Sequence, residues 1–183
     1  MPVRRDSIGW TQMKRNLASD GKSTELQHSA FPVGLDMIEV LTRFWGELDQ
    51  ILPARIIHVV DPYFLDAGGE STYTHAGNVA SLLRPALRTA EEIRLIYSRQ
   101  REGVTAATEE CFLRVNPDID IVFHRGTQMH ARYVIADHTR VLRMEFSFNR
   151  IRKSFGTVSV VSDPSDLEGI LGELRRLEER SGS

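Results

Sequence analysis

Three short runs of β-branched and aliphatic residues, RIIHVV (55–60), IRLIYS (93–98) and IDIVFH (119–124), constrain this chain more than any other feature. Each has the length of a buried strand and is punctuated by a breaker or polar loop, such as Asp61-Pro62 after the first and Asn116-Pro117 before the third. Helical spacing fills the intervals. Val79, Leu82, Leu83 and Leu87 fall on one side of Asn78–Arg88, with Pro85 working against regularity, and Thr105 starts a second helix that runs to Val115. Upstream, Met37, Val40, Leu41, Phe44, Trp45 and Leu48 repeat at the helical period from Asp36, and Pro53 closes that segment. Downstream come two strands of a hairpin, the run TVSVVS (157–162) and a last helix. Asp163 caps that helix, Pro164 suits its first turn, and Leu167, Ile170, Leu171, Leu174 and Leu177 form its apolar stripe. Strands alternating with helices, then a run of strands, then a helix predict an α/β sandwich: a mixed β-sheet with helices on both faces.

The chain has 183 residues, enough for one domain with a real core. Residues 1–33 are polar and aperiodic and read as an N-terminal extension, either a flexible arm or a segment that docks elsewhere; 34–183 read as the folded domain. With 23 Lys plus Arg against 25 Asp plus Glu, the net charge is −2, so no global field attracts nucleic acid or anionic membrane. Any such binding has to come from a local patch. One cysteine, Cys111, at an apolar helical position, excludes an internal disulfide framework and reads as core. The start lacks the apolar run of a signal peptide and no stretch is long and apolar enough for a bilayer, which predicts a soluble protein of the reducing cytoplasm.

The stretch MHARYVIADHTRVLRMEFSFN (129–149) reads as a hairpin turning at Asp137-His138-Thr139-Arg140. With two or four residues looping out, Tyr133 and Ile135 would share an apolar face with Leu142, Met144, Phe146 and Phe148. His130 and Arg132 would share the other with Arg143, Glu145, Ser147 and Asn149, pairing Arg132 with Glu145. Two readings fit that polar face: a solvated sheet surface with one ion pair, or an oxyanion site built from an imidazole, a guanidinium, a hydroxyl and an amide. Local charge favours the second. Residues 125–153 hold Arg125, Arg132, Arg140, Arg143, Arg150, Arg152 and Lys153 against only Asp137 and Glu145.

H-A-R-Y-V-I-A-D resembles the H-x-K-x4-D motif of the phospholipase D superfamily, with Arg132 in place of lysine, and Ser147 and Asn149 resemble the Ser and Asn of the G-S-x-N that follows it there. Asp61-Pro62-Tyr63-Phe64 after the first strand is similar to a feature of divergent bacterial phospholipase D-like domains. The resemblance runs from about Ile56 to the last helix and implies a phospholipase D-like sandwich. It implies His130 as a nucleophile toward phosphorus, Arg132 and Asn149 as phosphate ligands, Ser147 as a supporting donor and Asp137 as an orienting group; the basic cluster, apart from the resemblance, adds Arg143 as a phosphate-binding cation on the rim. This chemistry needs no cofactor and no metal, and the six histidines show no metal-ligand spacing. A guanidinium is wider and more planar than an ammonium, so Arg132 suits phosphate binding better than attack. The single motif means that a catalyst would have to work as a homodimer, since His138-x-Arg140-x4-Glu145 overlaps the motif across the turn and is a chance match. Three functions follow, two from the resemblance and the third from the basic sheet face. The first is a degenerate phosphate-binding subunit of a bacterial defence or nucleic-acid-processing complex. The second is a metal-independent phosphodiesterase acting on nucleic acid, and the third is a domain that binds anionic lipid head groups.

Beside these residues, Asp61 either caps its turn or reaches the cleft at the strand's carboxyl end, and His124 and Glu145 are further candidates for that cleft. His58 reads as a satisfied core histidine and His75 as loop surface.

Overall fold

The structure, a computed structural model, describes residues 28–126 and 130–181. Its elements run β1 (His28–Phe31), α1 (Met37–Leu48), β2 (Ile56–Val60), α2 (Thr72–Leu87), β3 (Glu92–Tyr97), α3 (Val104–Val115), β4 (Asp120–Arg125), β5 (Arg132–Ala136), β6 (Arg140–Met144), a 3-10 turn (Phe148–Arg150), β7 (Gly156–Val160) and α4 (Pro164–Ser181). Seven strands form one mixed sheet in the order β1-β7-β6-β5-β2-β3-β4. Strands β2, β3 and β4 are parallel, linked through α2 and α3, and every other pairing is antiparallel. No described helix is long and apolar enough to cross a membrane.

Strand alternation sorts the core into two layers. Ile57, Val59, Ile93, Leu95, Val134, Leu142 and Met144 pack with Val40, Phe44 and Leu48 of α1, the buried side of α2, and Val104 and Phe112 of α3. On the opposite face, Val60, Ile96, Tyr133, Ile135 and Val141 pack with Ile170, Leu174 and Leu177 of α4. Helices therefore cover both faces, as the order of segments predicts.

Local chemistry sets the helix ends. Asp36 accepts the Glu39 N–H at 2.9 Å to cap α1, and Asp163 accepts the Ser165 and Asp166 N–H groups at 3.0 Å at the start of α4. Helix α2 begins earlier than its apolar spacing predicts, because Ser71 Oγ accepts the Thr74 N–H at 3.1 Å and nucleates a first turn with no apolar stripe. His75 is consequently not loop surface. It is buried in α2 with Nε2 2.8 Å from Phe64 O. Pro85 is accommodated in the last turn of α2. Proline leaves the carbonyl four residues back without its helical donor, and the Trp45 indole N–H donates to that carbonyl, Ser81 O, at 3.0 Å.

Two predictions on strands need correction. Residues 28–31 belong to the sheet: β1 pairs antiparallel with β7, His28 opposite Ser159 and Phe31 opposite Gly156. The part of the expected extension at 1–27 lies outside the described residues. The β5–β6 hairpin also has another register. Asp137 and His138 both adopt left-handed φ (49° and 55°), Thr139 N–H donates to Ala136 O at 3.0 Å, and Arg140 then pairs with Ala136. Three residues loop out, an odd number, which slips the pairing by one and exchanges the faces. Arg132 stands opposite Met144, and Tyr133 opposite Arg143. Strand β6 stops at Met144, and Glu145 turns to β7, where its Oε2 accepts the Thr157 N–H at 2.8 Å.

Candidate anion site at the carboxyl ends of the parallel strands

Strands β2, β3 and β4 run parallel and end at Val60, Tyr97 and Arg125, and antiparallel β5 starts at the same edge with Arg132. The topology thus gathers the residues just beyond three strand ends and just before a fourth. Carboxyl edges of α/β sheets are common ligand sites, because the connecting loops are free to vary there while the strands stay fixed.

Asp61 is the anchor of this edge. It follows the Val60–Tyr133 pair, so it stands opposite Arg132, and its side chain is fully buried. Oδ1 accepts the Tyr63 N–H at 2.9 Å; Oδ2 accepts the Phe148 N–H at 2.9 Å and the Ser147 hydroxyl at 2.5 Å. Burial pushes the Asp61 carboxyl above the usual carboxylate range, while those three donors and the Arg132 charge pull it back. The bonds also explain the path after β6. Ser147 and Phe148 are drawn to Asp61, and Phe148 fills the core between Phe44 and Phe64, with ring centroids at 5.7 and 5.3 Å.

Arg132 is half-buried, with its guanidinium carbon 5.9 Å from the centroid of the Tyr63 ring. Exposed Arg99, just beyond β3, places its own guanidinium carbon 5.3 Å from the same centroid. One phenol therefore carries two cations. Arg132 Nε is buried with no hydrogen-bond partner among the described residues, which leaves a charged donor unsatisfied. His130, two residues earlier, is exposed, and exposed Arg125 closes the edge at the end of β4.

The structure thus brings Asp61, Arg132 and Ser147 together, with His130 nearby in the chain. Asn149, half-buried and next to Phe148, stays beside this edge, its Nδ2 donating to Asp66 O in the loop after β2 at 2.8 Å. The other candidates lie elsewhere. Arg143 is on the α4 face, where Nη2 meets Asp166 Oδ2 at 3.0 Å, a consequence of the slipped register. Glu145 is held by β7 and is not opposite Arg132. His124 lines a separate cavity under α4 with Arg94, Val122 and Glu178. Asp137 sits at the far end of β5, where Oδ1 accepts the Arg55 and Ile56 N–H groups at 2.9 and 3.0 Å and Oδ2 accepts from Arg140 at 3.2 Å. There it fixes the hairpin to the start of β2. Sequence reasoning missed the cation-binding role of Tyr63 and the presence of Arg99. The only signal was position, within two residues of a strand's carboxyl end.

No family model and no curated protein matches the sequence. Among solved structures, NucT from Helicobacter pylori shows a likeness at 12% identity and a TM-score of 0.49, covering 85% of this chain and 97% of that one. A likeness at this level gives no residue a role.

Proposed function

We propose that this chain is a phospholipase D-like domain with one degenerate motif, which binds the phosphate of a phosphodiester ligand, single-stranded nucleic acid in the first instance. Its place is that of a binding or regulatory subunit in a bacterial defence or nucleic-acid-processing system, a context that rests on the motif resemblance. The observation that carries the binding reading is the half-buried Arg132 guanidinium, its Nε without a partner among the described residues, beside Tyr63 and Arg99 at the carboxyl edge. Guanidinium groups at an aromatic ring form a platform for phosphate and base together.

The same geometry argues against turnover. The Ser147 hydroxyl is committed to Asp61, and one of the two Asn149 Nδ2 hydrogens to Asp66 O.

The test is fluorescence anisotropy with a labelled single-stranded oligonucleotide at low salt, with cleavage followed in parallel in EDTA. Wild-type protein should bind without cleaving, and Arg132→Ala should weaken binding by about tenfold or more, the loss of one charge-assisted hydrogen bond. No binding, or binding indifferent to Arg132, sinks the proposal. Turnover that disappears in His130→Ala replaces it with a metal-independent phosphodiesterase, which would then have to pair two copies of His130.

A further inference from the structure

On the opposite side of the sheet from Asp61, three residues far apart in sequence meet under α4. His58 lies in the middle of β2, where alternation points it at α4, and it is fully buried. Its Nε2 is 2.9 Å from Glu178 Oε1, in the last turns of α4. His138 belongs to the three-residue β5–β6 loop, and its Nε2 lies 3.2 Å from Oε1 and 3.1 Å from Oε2 of the same carboxylate. The imidazole rings sit edge to face with centroids 4.5 Å apart, and the ligand-capable atoms of all three residues lie within 4.8 Å of one another.

We propose that His58, His138 and Glu178 form a binding site for a divalent transition metal of the zinc class. Tetrahedral zinc with bonds of about 2.0–2.2 Å sets its ligand atoms roughly 3.3–3.5 Å apart, so small outward shifts of the observed contacts accommodate the ion. Two neutral imidazoles and a carboxylate are a zinc donor set, leaving a fourth position for water. A cavity lined by His124, Val122 and Leu177 adjoins the site at Glu178.

His58 is fully buried with Nε2 aimed at Glu178, and its Nδ1 has no partner among the described residues, so no outer hydrogen bond orients this ring and the ion itself would have to hold it. Glu178 already carries one cation, with which the ion would share the carboxylate. Arg94 bonds both Glu92 and Glu178, its Nη1 2.5 Å from Glu178 Oε1, so one guanidinium stands against two carboxylates. With the ion bound, Arg94 remains the outer partner that orients the ligating carboxylate. The ion would clamp the end of α4 and the hairpin turn to the central strand β2. It has no step in phosphate binding at the other face.

Protein stripped with a chelator and desalted is titrated with Zn2+ against a chromophoric competitor and with Co2+ followed by visible absorption, and melting is recorded with and without Zn2+. One ion per chain, tetrahedral Co2+ bands and a rise in Tm of about 5–10 °C at a hundredfold excess over Kd are expected. His138→Asn keeps a residue tolerant of the left-handed backbone, and Glu178→Gln keeps the shape of the acid, so both should fold. Each should weaken Zn2+ binding at least a hundredfold and abolish the rise in Tm, with circular dichroism confirming the fold. Absence of stoichiometric binding by either ion overturns the proposal. So does binding of unchanged strength in both variants, which would place the ion elsewhere.

Discussion

At Asp61 the chain buries a carboxylate beside a guanidinium, and an incoming anion meets the two with opposite sign. Asp61→Asn removes the negative charge but turns an amide N–H₂ toward backbone N–H or hydroxyl donors that now find an oxygen. Oligonucleotide affinity should rise several-fold while stability in urea falls by about 1–3 kcal/mol, the cost of an unsatisfied buried donor. A variant that binds more weakly would mean that Asp61 positions Arg132 rather than opposing the ligand. Glu47 offers a pH test away from the site. It is buried on α1, accepting from Ser29 Oγ at 2.5 Å and Gln50 Nε2 at 2.7 Å, and burial raises its carboxyl above the ordinary value of 4.5. A raised carboxyl favours the folded state when protonated. That contribution is complete below about pH 4.5 and is lost as pH rises through the folded value. Glu47→Gln, with the Gln50 amide flipped to donate or accept as needed, should therefore be more stable than wild type at pH 7 and lose that advantage near pH 4. Urea midpoints at the two pH values measure it.

Elements defined by local pattern were legible, and those defined by distant partners were not. The apolar periods of α1 and α4 and the β-branched runs of β2, β3 and β4 carry their own assignment, since each buries a face that its sequence marks. Strand β1 carries no such mark: HSAF is four residues whose pairing partner, β7, lies more than a hundred residues away. The hairpin register hung on whether two, three or four residues loop out, which composition does not decide. It put Arg143 and Glu145 on the wrong face while leaving Arg132 and Ser147 at one site through a different agent, Asp61. The His58–His138–Glu178 cluster was illegible for the same reason, because its members come from a strand, a turn and a helix end. Asp137 tests the element that misled the reading. Asp137→Ala leaves the Arg55 and Ile56 N–H groups without their acceptor and removes one of the two partners of Arg140, so unfolding free energy should fall by about 1–3 kcal/mol. Asp137→Asn keeps one acceptor oxygen and the left-handed preference and should lose less. Equal losses would show that the carboxylate's charge, which both variants remove, holds the turn rather than the backbone preference that Asn keeps.

Over the whole molecule the charge is −2, so affinity for a polyanion has to arise from the distribution of charge rather than its sum. The basic hairpin is less available than its composition promises. Arg140 is bound to Asp137 and Pro53 O, Arg143 to Asp166, Arg152 donates to Leu35 O, and Lys153 lies 3.6 Å from Glu70. The carboxyl edge instead presents Arg99, Arg125 and Arg132 on one side of the sheet's end, away from the face that α4 covers. Three phosphate contacts on a single strand release counterions with a log–log salt slope of about −2. Arg99→Ala should make that slope shallower by about 0.7, whereas Arg143→Ala, paired with Asp166 on the α4 face, should leave both slope and affinity unchanged. A wild-type slope near −4 or steeper, together with a clear loss in Arg143→Ala, would mean that the ligand tracks the basic hairpin rather than the strand ends. In that event the phosphate site would have to be moved from Arg132 to the opposite side of the sheet.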